Sequence, residues 1–156
     1  MKIKWKTLLI CIAIPLAVGI ISGIITRSAM DDFSALDQPP LSPPGWLFPV
    51  VWTILYVLMG ISLYLIVTSG APQRRLSTAF SLFGIQLFFN FMWSILFFNF
   101  GLYYFSFAWL LVLWVLIALC GISFYGIDKR AGYLWIPYFL WVTFAGYLNL
   151  GVAILN

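Results

Sequence analysis

The stretch GWLFPVVWTILYVLMGISLYLIVT, from Gly45 to Thr68, contains no charged side chain. In an α-helix, roughly 20 apolar residues cross about 30 Å of hydrocarbon, so this stretch is long enough to span a bilayer. Its apolar residues follow one another without the alternation of a barrel strand, and it exceeds the roughly ten residues that such a strand needs. The stretch therefore predicts a transmembrane α-helix.

Four similar stretches flank it, at residues 5–26, 76–97, 102–125 and 132–155, and the only charged residue within them is Lys6, near the first end. The composition agrees, because 64% apolar residues, 8% charged residues and a mean hydropathy of +1.08 cannot form a water-soluble surface. We expect one all-α domain over residues 1–156, a bundle of five transmembrane helices. Short connections make successive helices antiparallel neighbours.

The basic residues predict the orientation, since short loops rich in Lys and Arg stay in the cytoplasm. Arg27 alone falls on the opposite face, and the others occupy the N-terminal tail and two loops on one face: Lys2, Lys4, Lys6, Arg74, Arg75, Lys129 and Arg130. We expect a cytoplasmic N-terminus and a C-terminus outside. The first lysines also fit a secretory signal, but no A-x-A-like cleavage site follows, which favours a retained helix. The basic residues form no tract typical of a nucleic-acid partner.

The spans lack the residue types that several kinds of membrane chemistry need. The chain has no histidine, and no Asp, Glu, Lys or Arg lies in the hydrocarbon part of any span. Proton-coupled transporters and ion pumps normally keep such groups in the membrane. Cys11 and Cys120 fall inside spans, where small buried hydrophobes are expected rather than a disulfide or metal ligands. We expect no metal and no cofactor.

A polar stripe on the third span is the main candidate for function. Gln86, Asn90 and Trp93 follow one another at i, i+4 and i+7, so they share one helical face. That face must point into the bundle, because an unpaired amide in hydrocarbon costs several kcal/mol. Two interpretations stay open: hydrogen bonds between helices, or a ligand site.

Tryptophans on two other spans reach the same depth as this stripe. At about 1.5 Å per residue, Trp52, Asn90 and Trp141 can meet in the outer half of the bundle. Tyr56 shares a face with Trp52, and Ala145 shares one with Trp141, so bulky aromatics and small residues could enclose a flat cavity.

The long first connection, residues 27–44, lies above this level. Its four prolines, at positions 39, 40, 43 and 44, together with its polar residues, predict that it continues neither helix. We expect an ordered lid, with a stiff connector as the alternative, and Ser42 as the cap of the second helix. Arg27 could meet a ligand carboxylate, pair with Asp31 or Asp32, or extend towards the interface.

Three segments resemble the TspO/MBR family of translocator proteins, formerly called peripheral benzodiazepine receptors. They are PPLSPPGW leading into PVVWTILYVLMG, the run QLFFNFMW from Gln86 to Trp93, and WIPYFLWVTFAGYLN in the fifth span. They occur in the family's order within five spans, and the likeness covers essentially the whole chain.

The resemblance implies a membrane-embedded homodimer whose cavity, beneath the first loop, binds porphyrins such as protoporphyrin IX and benzodiazepine-type ligands. Trp52 and Trp141 match paired tryptophans that, in some bacterial relatives, support light-dependent oxidative breakdown of protoporphyrin. The family pattern and the spacing together give this candidate ligand-binding set: Phe33, Pro44, Trp52, Tyr56, Gln86, Asn90, Trp93, Trp141, Ala145 and Leu148. Asp32 and Phe33 stand where relatives usually have an aromatic pair, and the end of the fifth span lacks the proposed sterol motif.

Three hypotheses follow. The first is a tetrapyrrole-binding membrane protein that senses, sequesters or translocates porphyrins. The second is a porphyrin-degrading photoenzyme, in which Trp52 and Trp141 would be catalytic. The third is a structural or lipid-interacting module without a small-molecule ligand.

Overall fold

The structure is a computed structural model and describes residues 2–156. Within that range it contains helices and no strand, in this order: α1 Trp5–Thr26, a 3-10 turn Arg27–Ala29, α2 Met30–Ser34, α3 Leu47–Val67, α4 Gln73–Ser94, a π-helical turn Ile95–Asn99, α5 Tyr103–Ile127, α6 Lys129–Tyr133 and α7 Ile136–Leu155.

Five continuous helical segments are long and apolar enough to cross a membrane. They run Trp5–Ser34, Leu47–Val67, Gln73–Asn99, Tyr103–Ile127 and Lys129–Leu155. The prediction of an all-α membrane protein built as a five-helix bundle is confirmed. We call the end of the bundle that carries residues 35–46 the lid end, and the end that carries Arg74 and Lys129 the basic end.

The prediction that residues 27–44 continue neither helix is wrong for their first part. The first span remains helical through the 3-10 turn and α2 as far as Ser34, because no proline occurs between Thr26 and Pro39. Only residues 35–46 are irregular, and we call them the lid segment. Ser42 does not cap α3, which begins later, at Leu47. Its hydroxyl instead donates a hydrogen bond to the Pro39 carbonyl at 2.7 Å.

Specific residues set the short connections at the basic end. Gly70 adopts a φ of +72° just after α3, a left-handed conformation that favours glycine, and Pro72 precedes α4. Between α5 and α6, the Asp128 carboxylate accepts hydrogen bonds from the Arg130 backbone N–H and guanidinium, at 2.9 and 2.8 Å. The side-chain bond from Arg130 lowers the pKa of Asp128. This residue therefore caps α6 as a carboxylate.

α1 and α3 approach each other closely in the half of the bundle nearer the basic end. A Cβ added at Gly60 of α3 would collide with the Ile12 backbone of α1, so only glycine permits this approach. In the same half, Phe83 stacks on Phe124 with ring centroids 6.2 Å apart, and the Trp135 indole N–H donates to Ser62 at 2.9 Å. This half is filled with side chains.

We expect Gly60→Ala to lower the free energy of unfolding by about 1–3 kcal/mol, the usual cost of overpacking. The control is Gly84→Ala in α4, where an added Cβ meets no atom within 4 Å. That change should be neutral or stabilising by up to about 1 kcal/mol, because alanine is the better helix former. Unfolding in detergent monitored by circular dichroism measures both. Equal effects of the two substitutions would contradict the close α1–α3 contact.

Candidate ligand-binding cavity

A cavity of about 800 Å³ occupies the half of the bundle nearer the lid end. Its volume lies within the roughly 300–1,000 Å³ of small-molecule sites. Five elements form its wall: α1 with its extension, the lid segment, α3, α4 with its π-helical turn, and α7. Four of the five spans and the lid segment therefore build the cavity.

Aromatic rings form the α3 and α4 sides of the cavity. The Trp52 ring stacks on Tyr56 with centroids 5.7 Å apart, and it lies 6.4 Å from the Trp93 ring. Trp93 in turn stacks on Phe97 at 5.5 Å. On the α7 side, Trp141 meets Phe48 of α3 edge to face at 5.9 Å. Such a lining suits a flat, apolar ligand.

A chain of hydrogen bonds lies beneath the cavity. The Tyr56 hydroxyl donates to the Asn90 carbonyl oxygen, the Asn90 amide donates to the Tyr138 hydroxyl, and Tyr138 donates to the Gln86 carbonyl oxygen, each at 2.8 Å. Gln86 and Asn90 are 0% and 1% exposed. For these two amides the structure supports the first of the two interpretations, hydrogen bonding between helices.

The Trp93 indole is fixed by a residue that sequence reasoning missed. Its N–H donates to the Asn149 carbonyl oxygen at 3.0 Å, and the Asn149 amide donates to the Tyr103 carbonyl at 2.8 Å. Asn149 also lines the cavity. The signal was present, because Asn149 is an amide inside a span and needs an internal partner for the same reason as Gln86 and Asn90.

Trp141 differs from the other buried tryptophans in its unpaired donor. Its indole N–H is the one buried side-chain polar group in residues 2–156 that has no hydrogen-bond partner. By contrast, the indoles of Trp93, Trp109 and Trp135 all donate, at 2.8–3.0 Å. A buried donor without a partner costs about 1–3 kcal/mol. The Trp141 ring thus lies in the wall of the cavity with no hydrogen bond to fix its orientation.

The α1 side of the cavity is small and polar, and sequence reasoning also missed it. Gly19, Ser22, Gly23 and Thr26 recur every three or four residues, and all four line the cavity. Gly19 packs inside the bundle against the Tyr56 ring, and a Cβ at Gly23 would meet no atom within 4 Å. The regular spacing of these small residues is the signal that could have identified this face.

More polar side chains lie where α1 meets the lid segment: Arg27, Ser34 and Gln38. The only salt bridge within residues 2–156 joins Arg130 to Asp128. Arg27 is therefore not paired with Asp31 or Asp32, and this residue lines the lid end of the cavity. The site thus has an aromatic body and a polar mouth with one cation.

The lid segment is attached to α7 at several points. The Tyr147 hydroxyl donates to the Pro40 carbonyl at 2.7 Å, and Pro39 packs on Gly151, where a Cβ would collide with the proline ring. The Asn156 side chain exchanges two hydrogen bonds with the Asp37 backbone, at 3.0 and 3.1 Å. These contacts hold the segment across the end of the bundle.

Seven residues of the candidate set line the cavity: Phe33, Trp52, Tyr56, Trp93, Trp141, Ala145 and Leu148. The other three do not. Gln86 and Asn90 lie in the hydrogen-bond chain beneath it, and exposed Pro44 lies outside the lining although its neighbours Pro43 and Gly45 contribute.

Residues 11–155 match the sequence pattern of the TspO/MBR family. The chain belongs to the TspO/MBR family. The resemblance drawn from the sequence is thereby confirmed, and the protein is an integral, multi-pass member of that family.

Several TspO/MBR relatives align over most of the chain. It is 37% identical to the tryptophan-rich protein TspO of Chlorobaculum tepidum, over 96% of each chain. It is 33% identical to the tryptophan-rich sensory protein of Cereibacter sphaeroides, over 80% of this chain and 76% of the relative. It is 30% identical to the translocator protein of Bos taurus, over 75% of this chain and 70% of the relative.

We expect Tyr138→Phe to destabilise the protein by about 1–3 kcal/mol, because it leaves both Gln86 and Asn90 with an unpaired group in a buried site. Tyr104→Phe, on an exposed face of α5, is the matched control and should change stability by less than about 0.5 kcal/mol. Thermal unfolding in detergent compares the two variants. If the Tyr138→Phe protein were as stable as the control, the hydrogen-bond chain would contribute little to the stability of the fold.

Proposed function

We propose that this TspO/MBR protein binds a tetrapyrrole of the protoporphyrin IX type in the cavity, and that it thereby senses, sequesters or translocates porphyrins. The observation that carries the proposal is a slot of about 800 Å³ with an aromatic lining that includes Trp52, Trp93 and Trp141. A flat apolar macrocycle matches such a slot.

The polar mouth supports the same ligand. Protoporphyrin IX carries two propionates on one edge of an otherwise apolar ring, so it needs a cavity that is polar at one end only. Arg27, Gln38 and Ser34 lie at that end, and Trp52 and Trp93 lie in the body. The macrocycle would enter the aromatic body with its propionates towards Arg27.

Several further properties belong to this proposal. Benzodiazepine-type ligands, which are flat and apolar, would compete for the cavity. The protein would act as a homodimer in a lipid bilayer, with the N-terminus in the cytoplasm and the lid segment on the opposite face, as the basic residues favour. Two relatives carry names that fit such roles: a sensory protein in Cereibacter sphaeroides and a translocator protein in Bos taurus.

A second function, light-dependent porphyrin breakdown, is favoured by the two tryptophans that share the cavity. Trp52 and Trp141 both line it, and Trp52 lies near Trp93 and Tyr56. The excited porphyrin would exchange an electron with an indole, and dioxygen would be the oxidant. The chain's role would be to orient the ring, since the chromophore supplies the chemistry.

Titration of the purified protein with protoporphyrin IX in the dark should give saturable binding, seen as a shift of the porphyrin absorption band. Trp141→Phe keeps an aromatic ring but reduces the area that can stack on the macrocycle, so affinity should fall by roughly twofold to tenfold, the worth of one aromatic contact. Trp5→Phe, on an exposed residue at the start of α1, is the control and should leave affinity unchanged.

Illumination of the same samples in air separates the two functions. A stable porphyrin band supports binding alone. Loss of the band in the wild type, abolished in Trp52→Phe or Trp141→Phe, supports the photoenzyme. The absence of saturable binding in the dark would reject both and leave the structural or lipid-interacting module.

Arg27→Gln should weaken binding of protoporphyrin IX by about twofold to fivefold, because an exposed ion pair contributes modestly. It should leave binding of the dimethyl ester, which has no propionate charge, unchanged. Arg75→Gln at the basic end is the matched control. Isothermal titration or fluorescence quenching measures the affinities of the wild type and both variants for both ligands, and an equal loss for acid and ester in Arg27→Gln would contradict a propionate at Arg27.

A further inference from the structure

A second hollow, of about 380 Å³, lies on the outside of the bundle between α3 and α7. Its lining is apolar and includes Val51, Ile54 and Leu55 of α3 and Leu140, Trp141 and Phe144 of α7. Ile54 and Leu140 are 53% and 61% exposed. Because both helices span the membrane, this surface faces lipid. We call it the lateral groove.

The lateral groove and the cavity share one wall residue, Trp141. On the cavity side, the Trp141 ring meets Phe48 edge to face, with centroids 5.9 Å apart. The principal packing partners of α3 are α1 and α6, whereas α7 packs mainly on α5. Side chains therefore form the partition between cavity and lipid at this place.

Two parts of the cavity wall, the lid segment and the Trp141 ring, differ in what must break when they move. Opening the lid segment requires loss of the Tyr147 bond to Pro40, the two Asn156 bonds to Asp37, and the packing of Pro39 on Gly151. Moving the Trp141 ring breaks no hydrogen bond, because its N–H has no partner. Side chains change rotamer far faster than segments of backbone rearrange.

We propose that the ligand reaches the cavity from the bilayer, through the lateral groove, and that Trp141 and Phe48 together form the gate. The inference rests on the proposed function, since it concerns how the same flat, apolar tetrapyrrole enters and leaves. The ligand occupies the groove transiently as it passes between the bilayer and the cavity. The lid segment stays closed during exchange.

The test fills the groove without touching the cavity. Leu140 lines the groove and not the cavity, so Leu140→Trp should block passage while leaving the bound state unchanged. With protein in phosphatidylcholine vesicles, stopped-flow fluorescence of protoporphyrin IX should show association and dissociation both slowed by about tenfold, with an unaltered Kd. Ile54→Trp, from the opposite side of the groove, is a second variant with the same expectation.

Two controls make the result specific. Leu111→Trp places the same bulky residue on α5, where Leu111 is 47% exposed and lies outside the groove. It should leave both rates unchanged. The double variant Tyr147→Phe and Asn156→Ala removes the hydrogen bonds of the lid segment to α7, and it too should leave both rates unchanged.

The opposite pattern would overturn the lateral route: normal rates in both groove variants, with faster exchange in the lid variant. A changed Kd in both groove variants would also overturn it, because the substitutions would then act on the bound state. Failure of the proposed function is a separate result, since the wild-type protein would show no saturable binding at equilibrium.

Discussion

Polar side chains inside this bundle must satisfy one another, because hydrocarbon offers no hydrogen-bond partner. The chain from Tyr56 through Asn90 and Tyr138 to Gln86 does so by joining α3, α4 and α7 at one level. Below that level the helices are filled with side chains, and above it they enclose the cavity. The hydrogen-bond chain thus forms the floor of the aromatic cavity.

Much of this arrangement follows from the sequence, since uninterrupted apolar stretches give the five helices and their spacing gives the inward faces. Gln86 and Asn90 were expected to face inwards, and they do. Their partners could not be deduced, because the hydroxyls of Tyr56 and Tyr138 belong to other helices. Whether an inward amide meets protein or ligand depends on that packing.

Two features were not predicted from the sequence, the α1 wall of the cavity and the helical extension to Ser34, because each has only a weak sequence pattern. The α1 wall of the cavity includes small residues such as Gly19, Ser22 and Gly23, which shape the cavity through the space they leave rather than through a recognisable group. The helical extension to Ser34 was hidden by the polar, proline-rich composition of the whole connection. Its prolines act only locally, from Pro39 onwards.

A cavity that ligands enter from the bilayer, past the Trp141 and Phe48 side chains, would select them by their partitioning as well as by their shape. Each buried CH₂ group contributes about 0.8 kcal/mol to membrane binding, so an apolar macrocycle concentrates in the bilayer. A modest intrinsic affinity then suffices for occupancy. A ring held in the bilayer by its apolar body keeps its carboxylates at the interface, and Arg27 lies at the corresponding end of the cavity. The ligand would therefore reach the aromatic slot already in the orientation in which it binds.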